Sequence, residues 1–184
     1  MAITINGTGT IAGLAVGGLP DGSITSADLA SGAITTGALP AGSILQVEVT
    51  EKTADQEVNS STHIDIMSVT ITPTSSSNPI LLLAIGGAIV TNASSRALRT
   101  TFFRGTTNLA TNSINTGAYL TEYRGLNSEL IVPHCTFHYD NAHSSSSELT
   151  YTYKGLSLNG AVWANSKTAD RLSAITLMAI EVAA

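Results

Sequence analysis

Between Leu14 and Ile44 a branched apolar residue recurs at every fifth position: Leu14, Leu19, Ile24, Leu29, Ile34, Leu39 and Ile44. Two residues before each stands Gly or Ala, namely Ala12, Gly17, Gly22, Ala27, Gly32, Gly37 and Gly42. A step of five turns an α-helix by about 500°, so successive side chains fall about 140° apart and form no stripe. In a strand, whose period is two, an odd step throws alternate residues to opposite faces. The pattern therefore fits a glycine-punctuated chain that buries one aliphatic side chain per unit against something outside itself. A single-chain quadrilateral β-helix also uses five-residue units, at about 20 residues per coil. Seven units make fewer than two such coils, and solenoids need several stacked repeats and caps. Three chains wound together could bury what one cannot, so the seven aliphatic residues are expected to be oligomer contacts of an interwound stem.

Glycine-rich repeats cease near Gly42–Gln46, which sets expected domains of 1–45 and 46–184; the only charges in the first are Asp21 and Asp28. Long β-type runs follow: Leu45–Lys52, His63–Thr72, Ile80–Thr91, Ala97–Arg104, Ile114–Glu122, Glu129–Asp140, Glu148–Leu158 and Arg171–Ala183. Clusters such as Ser75-Ser76-Ser77-Asn78 and Gly105-Thr106-Thr107-Asn108 separate them. Strands at this spacing predict an all-β domain, a β-sandwich of jelly-roll type, with no helix of note. In Ile131-Pro133-Cys135-Phe137-Tyr139 one alternate face is apolar, as for a half-buried strand. Ile80–Val90 and Ile175–Val182 are apolar on both faces. A two-layer sandwich covers one face of each sheet, so the second should meet a neighbouring subunit; Leu82, Ala84, Met178, Ile180 and Val182 are expected there.

Charged residues make up 11% of the 184, against about 25% in an ordinary globular protein, and aromatics 5%. The positive mean hydropathy speaks against overall disorder. A net charge of −5 with no basic run speaks against nucleic-acid binding. Cys135 is the single cysteine, so no intrachain disulfide can form. The opening Met1-Ala2-Ile3-Thr4 lacks the pattern of a secretory signal. Pro79–Val90, the most apolar run, is shorter than the roughly 20 residues of a membrane span and contains Gly86 and Gly87. The expectation is a soluble protein made in a host cytoplasm, with no membrane insertion.

Three stretches resemble the fibre proteins of tailed bacteriophages, especially those of cyanobacteria. Ala2-Ile3-Thr4-Ile5-Asn6-Gly7-Thr8-Gly9-Thr10-Ile11 leads into Gly17-Gly18-Leu19-Pro20-Asp21-Gly22-Ser23-Ile24. Val69-Thr70-Ile71-Thr72-Pro73-Thr74-Ser75-Ser76-Ser77 runs toward Ile80-Leu81-Leu82-Leu83, and the last is Leu172-Ser173-Ala174-Ile175-Thr176-Leu177-Met178-Ala179-Ile180-Glu181. The resemblance implies a homotrimer in the virion, with an N-terminal part attached to other tail or capsid proteins, a repetitive stalk, and an outward β-knob facing a host glycan or protein. Fully extended, Ala12–Gln46 spans at most about 120 Å. That suits a short tail fibre or a capsid decoration protein built the same way.

Motifs for chemistry are weak. Gly7-Thr8-Gly9-Thr10-Ile11-Ala12 has the letters of a dinucleotide fingerprint, but Gly17, Gly18 and Pro20 follow where a helix would have to start. His134 and His138 lie about 13 Å apart on one strand face, too far to share an ion within a chain; one His from each subunit around a threefold axis stays open. Cys135, on the opposite face, is expected in the core, and His63 and His143 in loops. Asp140, Glu148, Glu122 and Glu129 could supply the paired carboxylates of a glycan-cleaving depolymerase, though nothing pairs them. Tyr119, Tyr123, Tyr139, Tyr151, Tyr153 and Trp163 could offer platforms to sugars. The expectation is a non-enzymatic fibre with no cofactor, no metal and no catalytic residues. A trimeric decoration or cement protein is the alternative and a depolymerase the distant one.

Overall fold

The computed structural model describes residues 24, 25, 27, 29–91, 95–110, 118–124, 130–165 and 174–184. Two compact units divide the chain, Met1–Leu39 and Pro40–Ala184. Residues 40–45, counted with the stem on sequence grounds, fall in the second.

That second unit is a two-layer antiparallel β-sandwich. Its strands are β1 (Ile44–Lys52), β2 (Gln56–Val58), β3 (Ile64–Ile71), β4 (Ile80–Thr91), β5 (Ala97–Arg104), β6 (Thr107–Asn108), β7 (Thr121–Arg124), β8 (Leu130–Asp140), β9 (Leu149–Leu158), β10 (Val162–Asn165) and β11 (Ile175–Val182). One sheet has the order β1-β11-β4-β10-β2, with β8 on the free side of β4; the other has β3-β9-β5-β6, with β7 also on β5. The β-branched and aromatic content of these runs favours the pleated, half-buried environment. Ile80, Leu82, Ala84, Ile175, Leu177 and Ala179 of the first sheet pack on Ile66, Val69, Ile71, Leu98, Phe102 and Tyr153 of the second.

Leu82 and Ala84, expected to meet a neighbouring subunit, are therefore wholly buried in the chain's own core. Alternation establishes that β4 has two apolar faces without saying which turns inward. The outward residues are Leu81, Leu83 and Ile85, while Met178, Ile180 and Val182 on β11 do stand on the outer, half-exposed side.

β8 is inverted relative to expectation. Pro133, Cys135, Phe137 and Tyr139 point outward, and His134, Thr136 and Asp140 are buried. Cys135 is exposed rather than in the core. The inversion holds because the opposite sheet supplies a polar partner to each buried group. His134 Nδ1 pairs with the Tyr153 hydroxyl at 2.9 Å, and Thr136 Oγ1 lies 3.0 Å from Thr100 Oγ1 and 3.1 Å from the Tyr153 hydroxyl. Arg104 donates to both Asp140 oxygens at 2.7 and 2.6 Å, and Tyr151 donates to one at 2.8 Å. Buried polar atoms left alone cost more than the bonds return, so the row is stable only when complete.

At the middle of β4 the register against β8 shifts between Gly86 and Ile89, and Gly86 and Gly87 have φ of +78° and +64°. A Cβ at Gly86 would come within 2.6 Å of the Ala174 carbonyl oxygen, which itself accepts the Gly87 N–H at 2.6 Å and so is held in place. A Gly86→Ala chain should lose about 3 kcal/mol of stability from positive φ and overpacking together, read as a lower urea midpoint with unchanged far-UV dichroism.

Candidate functional site: a row of turns and an apolar sheet face

In the first unit the sequence period becomes a backbone period. Ala33 N–H donates to Ala30 O at 2.9 Å and Ala38 N–H to Thr35 O at 2.9 Å; the same bond from Ser43 N–H to Pro40 O, at 3.1 Å, opens the second unit. Four-residue turns thus begin at Ala30, Thr35 and Pro40, five residues apart. Gly32 and Gly42, third in their turns, have φ of +77° and +87°, which a type II turn requires there. Gly37 takes the same place in a turn tightened to a 3₁₀ segment, Thr36–Ala38. Gly32, Gly37 and Gly42, two residues before Ile34, Leu39 and Ile44, are therefore the turn residues. The aliphatic residues follow in the open: Ile24 is 53% exposed, Leu29 43%, Ile34 59%, Leu39 38% and Ile44 62%. Leu14 and Leu19 lie outside the described residues.

The sandwich carries a second apolar exposure, on the outer side of the β1-β11-β4-β8 sheet. Cross-strand pairing lines up Val49, Met178, Leu83 and Phe137 in one row and Val47, Ile180, Leu81 and Tyr139 in the next. A third row, Glu51, Thr176, Ile85 and Cys135, carries the face's one acidic side chain. Phe137 is 70% exposed and Val49 52%. A shallow apolar depression lies among Leu81, Leu83, Ile85, Cys135 and Phe137. Monomeric proteins seldom leave an apolar area of this kind bare.

The residues considered for chemistry are otherwise engaged. Glu122 accepts from Arg99 at 2.5 Å and from Arg124 at 2.7 Å, while Asp140 is held by Arg104 and Tyr151. Burial alone would raise each carboxyl, but the arginines and other donors outweigh it and hold both below the usual range. Glu148 lies at the surface and Glu129 outside the described residues. His143 lies in the loop between β8 and β9, where it is buried with its Nε2 on the Asn78 carbonyl at 2.5 Å. His63 packs edge-on to Phe103, centroids 5.4 Å apart. Of the proposed sugar platforms, Tyr151 and Tyr153 are core residues, Tyr119 lies against Arg99 with the guanidinium carbon 4.4 Å from the ring centre, and Tyr123 is half-buried. Only Tyr139, 52% exposed, and Trp163, 36%, stand open. Among the described residues no group of three or more His, Cys, Asp or Glu could hold a metal ion.

Sequence reasoning missed Glu181, a fully buried carboxylate with no cationic partner among the described residues. Thr74 donates to Oε1 through its N–H and its hydroxyl, both at 2.8 Å, Asn78 Nδ2 donates at 2.7 Å, and Gln46 Nε2 reaches Oε2 at 2.6 Å. Burial would raise its pKa, but these donors hold it below the usual carboxylate range. It fixes the β3–β4 loop against β1 and β11.

No protein-family model and no curated protein matches the sequence. Among solved structures, similarity is found to that of infectious bursal disease virus Gx strain, at 14% identity and a TM-score of 0.29. The match covers 76% of this chain and spans 37% of that one. A likeness this slight carries over neither topology nor function.

His134 generates a pH test. Its Nε2–H donates to the Ala164 carbonyl, which fixes the tautomer and makes Nδ1 the acceptor of the Tyr153 hydroxyl. Burial pushes its pKa down from 6.5 to about 4, against the weaker opposing pull of that carbonyl. Protons therefore bind the unfolded chain first. Stability is full above about pH 6.5 and falls by about 3 kcal/mol as pH drops to about 4. Urea unfolding across this range should show the fall, and a His134→Gln chain, weaker at neutral pH, should show a shallower one.

Proposed function

We propose that this chain is a virion structural protein of a tailed bacteriophage: a short homotrimeric fibre, attached through its N-terminal segment to other virion proteins, whose jelly-roll-like knob serves adhesion to the host. The observation that carries the reading is the coincidence of the five-residue sequence period with turns at Ala30, Thr35 and Pro40, each followed by an aliphatic side chain left in the open. Turns formed by local hydrogen bonds need no partner; the aliphatic residues do. Three interwound copies give them one another. The charge-poor composition and the phage-fibre resemblance of three stretches point the same way.

The role is mechanical and adhesive rather than catalytic. The described carboxylates Asp140, Glu122 and Glu181 are taken up in structural contacts that leave no free acid–base pair among them. Neither a cofactor nor a metal is invoked, nor any nucleic acid. Recognition would fall to the knob's loops, with a surface glycan or protein as receptor. The shortness of the stem, at most about 120 Å even if fully extended, also favours a decoration protein that clamps capsid subunits. Copies per particle separate the two, since head sites outnumber tail sites many-fold.

Removal of residues 1–39 should leave a folded sandwich, because β1 and its pairing with β11 lie wholly in the remainder. The truncated protein should melt cooperatively yet be missing from purified particles. Loading at full occupancy would refute the anchoring role.

A further inference from the structure

We propose that the outer face of the β1-β11-β4-β8 sheet is covered by a second copy of this chain, so that sister knobs bind one another directly. The inference rests on the self-assembling fibre reading and extends it from the stem to a defined surface of the sandwich.

Four observations carry it. The first is the choice of side on β8. That strand buries His134, Thr136 and Asp140 and leaves Phe137 and Tyr139 70% and 52% exposed. A slip of one residue would reverse both sets. A lone domain would gain by hiding the aromatics; keeping them outside, with a full set of polar partners built within, suits a strand whose outer side is also covered.

The second is extent. The exposed portions of Ile44, Val47, Val49, Ile85, Phe137 and Tyr139 amount to roughly 600 Å² before the half-buried Leu81, Leu83, Met178 and Ile180 are counted, against about 800 Å² per partner in a standard stable interface.

The third is charge. Glu51, at one corner of the three cross-strand rows, is their one carboxylate, and no Lys or Arg stands in them. An unlike partner is commonly selected by matched charges, which this face lacks. Two copies of a neutral apolar face meet without repulsion.

The fourth is continuity. Ile44, last of the five-residue series, opens β1 opposite Val182 on this same face, and Val47 and Val49 follow it. Ile44 thus belongs both to the five-residue series in the sequence and to this sheet face. A contact between copies at one end holds the neighbouring surface at high effective concentration at the other.

Cys135, the single thiol, stands on this face beside Ile85 and reports its cover. The full chain is treated with an uncharged maleimide, and its mass is followed by sedimentation equilibrium. Two variants accompany it: Phe137→Gln with Val49→Gln on the sheet face, and Ile24→Asp with Leu29→Asp and Ile34→Asp in the repeats. All five positions are exposed, so folding is retained and is checked by urea midpoint. In the unaltered oligomer Cys135 should react about tenfold or more slowly than in the face variant. The repeat variant should lose the stable trimer mass but regain thiol protection as concentration is raised. If Cys135 reacts equally fast in the unaltered chain and the face variant, the inference is overturned, and a trimer mass in that same sample leaves the fibre reading standing. If instead the repeat variant stays trimeric while the face variant becomes monomeric, the stem contacts fall and the sheet interface stands.

Discussion

A sandwich of two sheets has four faces and seals two of them, and this chain spends apolar residues on three. Everything distinctive about the domain follows from that surplus. β4 runs through the centre of its sheet with Leu82 and Ala84 inward and Leu81 and Leu83 outward, and β11 beside it repeats the arrangement. The inner set closes a conventional core with the second sheet. No described strand of the sandwich lies above the outer set.

The polar side of β8 is the counterpart of that surplus. Where aromatic residues would ordinarily lie between the layers, His134, Thr136 and Asp140 reach across to Tyr153, Thr100, Arg104 and Tyr151. Each bond is worth little net, but each is costly to leave unmade. The set works as a latch between layers and pins the strand in one register. It also ties stability to protonation, because His134 must stay neutral for its hydrogen bonds to keep their sense.

Much of the architecture is legible in the residues themselves. The runs Ile80–Thr91 and Ala97–Arg104 coincide with β4 and β5, and Glu148–Leu158 differs from β9 by one residue. The short pieces Gln56–Val58, Thr107–Asn108 and Val162–Asn165 carry too few residues to show a period, and their pairing with longer strands makes them visible only in three dimensions. Face assignment is the harder problem. Alternation separates Leu81 from Leu82 and His134 from Cys135 without saying which member turns inward, since that depends on partners far along the chain. The polar groups at Tyr151, Tyr153 and Arg104, all aimed between the layers, are the sequence's hint that a polar strand face belongs opposite them. Glu181 shows the same limit: its four donors come from positions up to 135 residues away.

The turn at each five-residue unit has a consequence for how such a chain can vary. The units that turn at Ala30 and Thr35 each close a hydrogen bond within four residues. Whole units of this kind ahead of Pro40 can be gained or lost like links, leaving the remaining ones in phase and the sandwich's own strands complete. Length becomes a quantity adjustable in fixed increments, whereas any insertion that is not a multiple of five puts every later peg out of step with its neighbours.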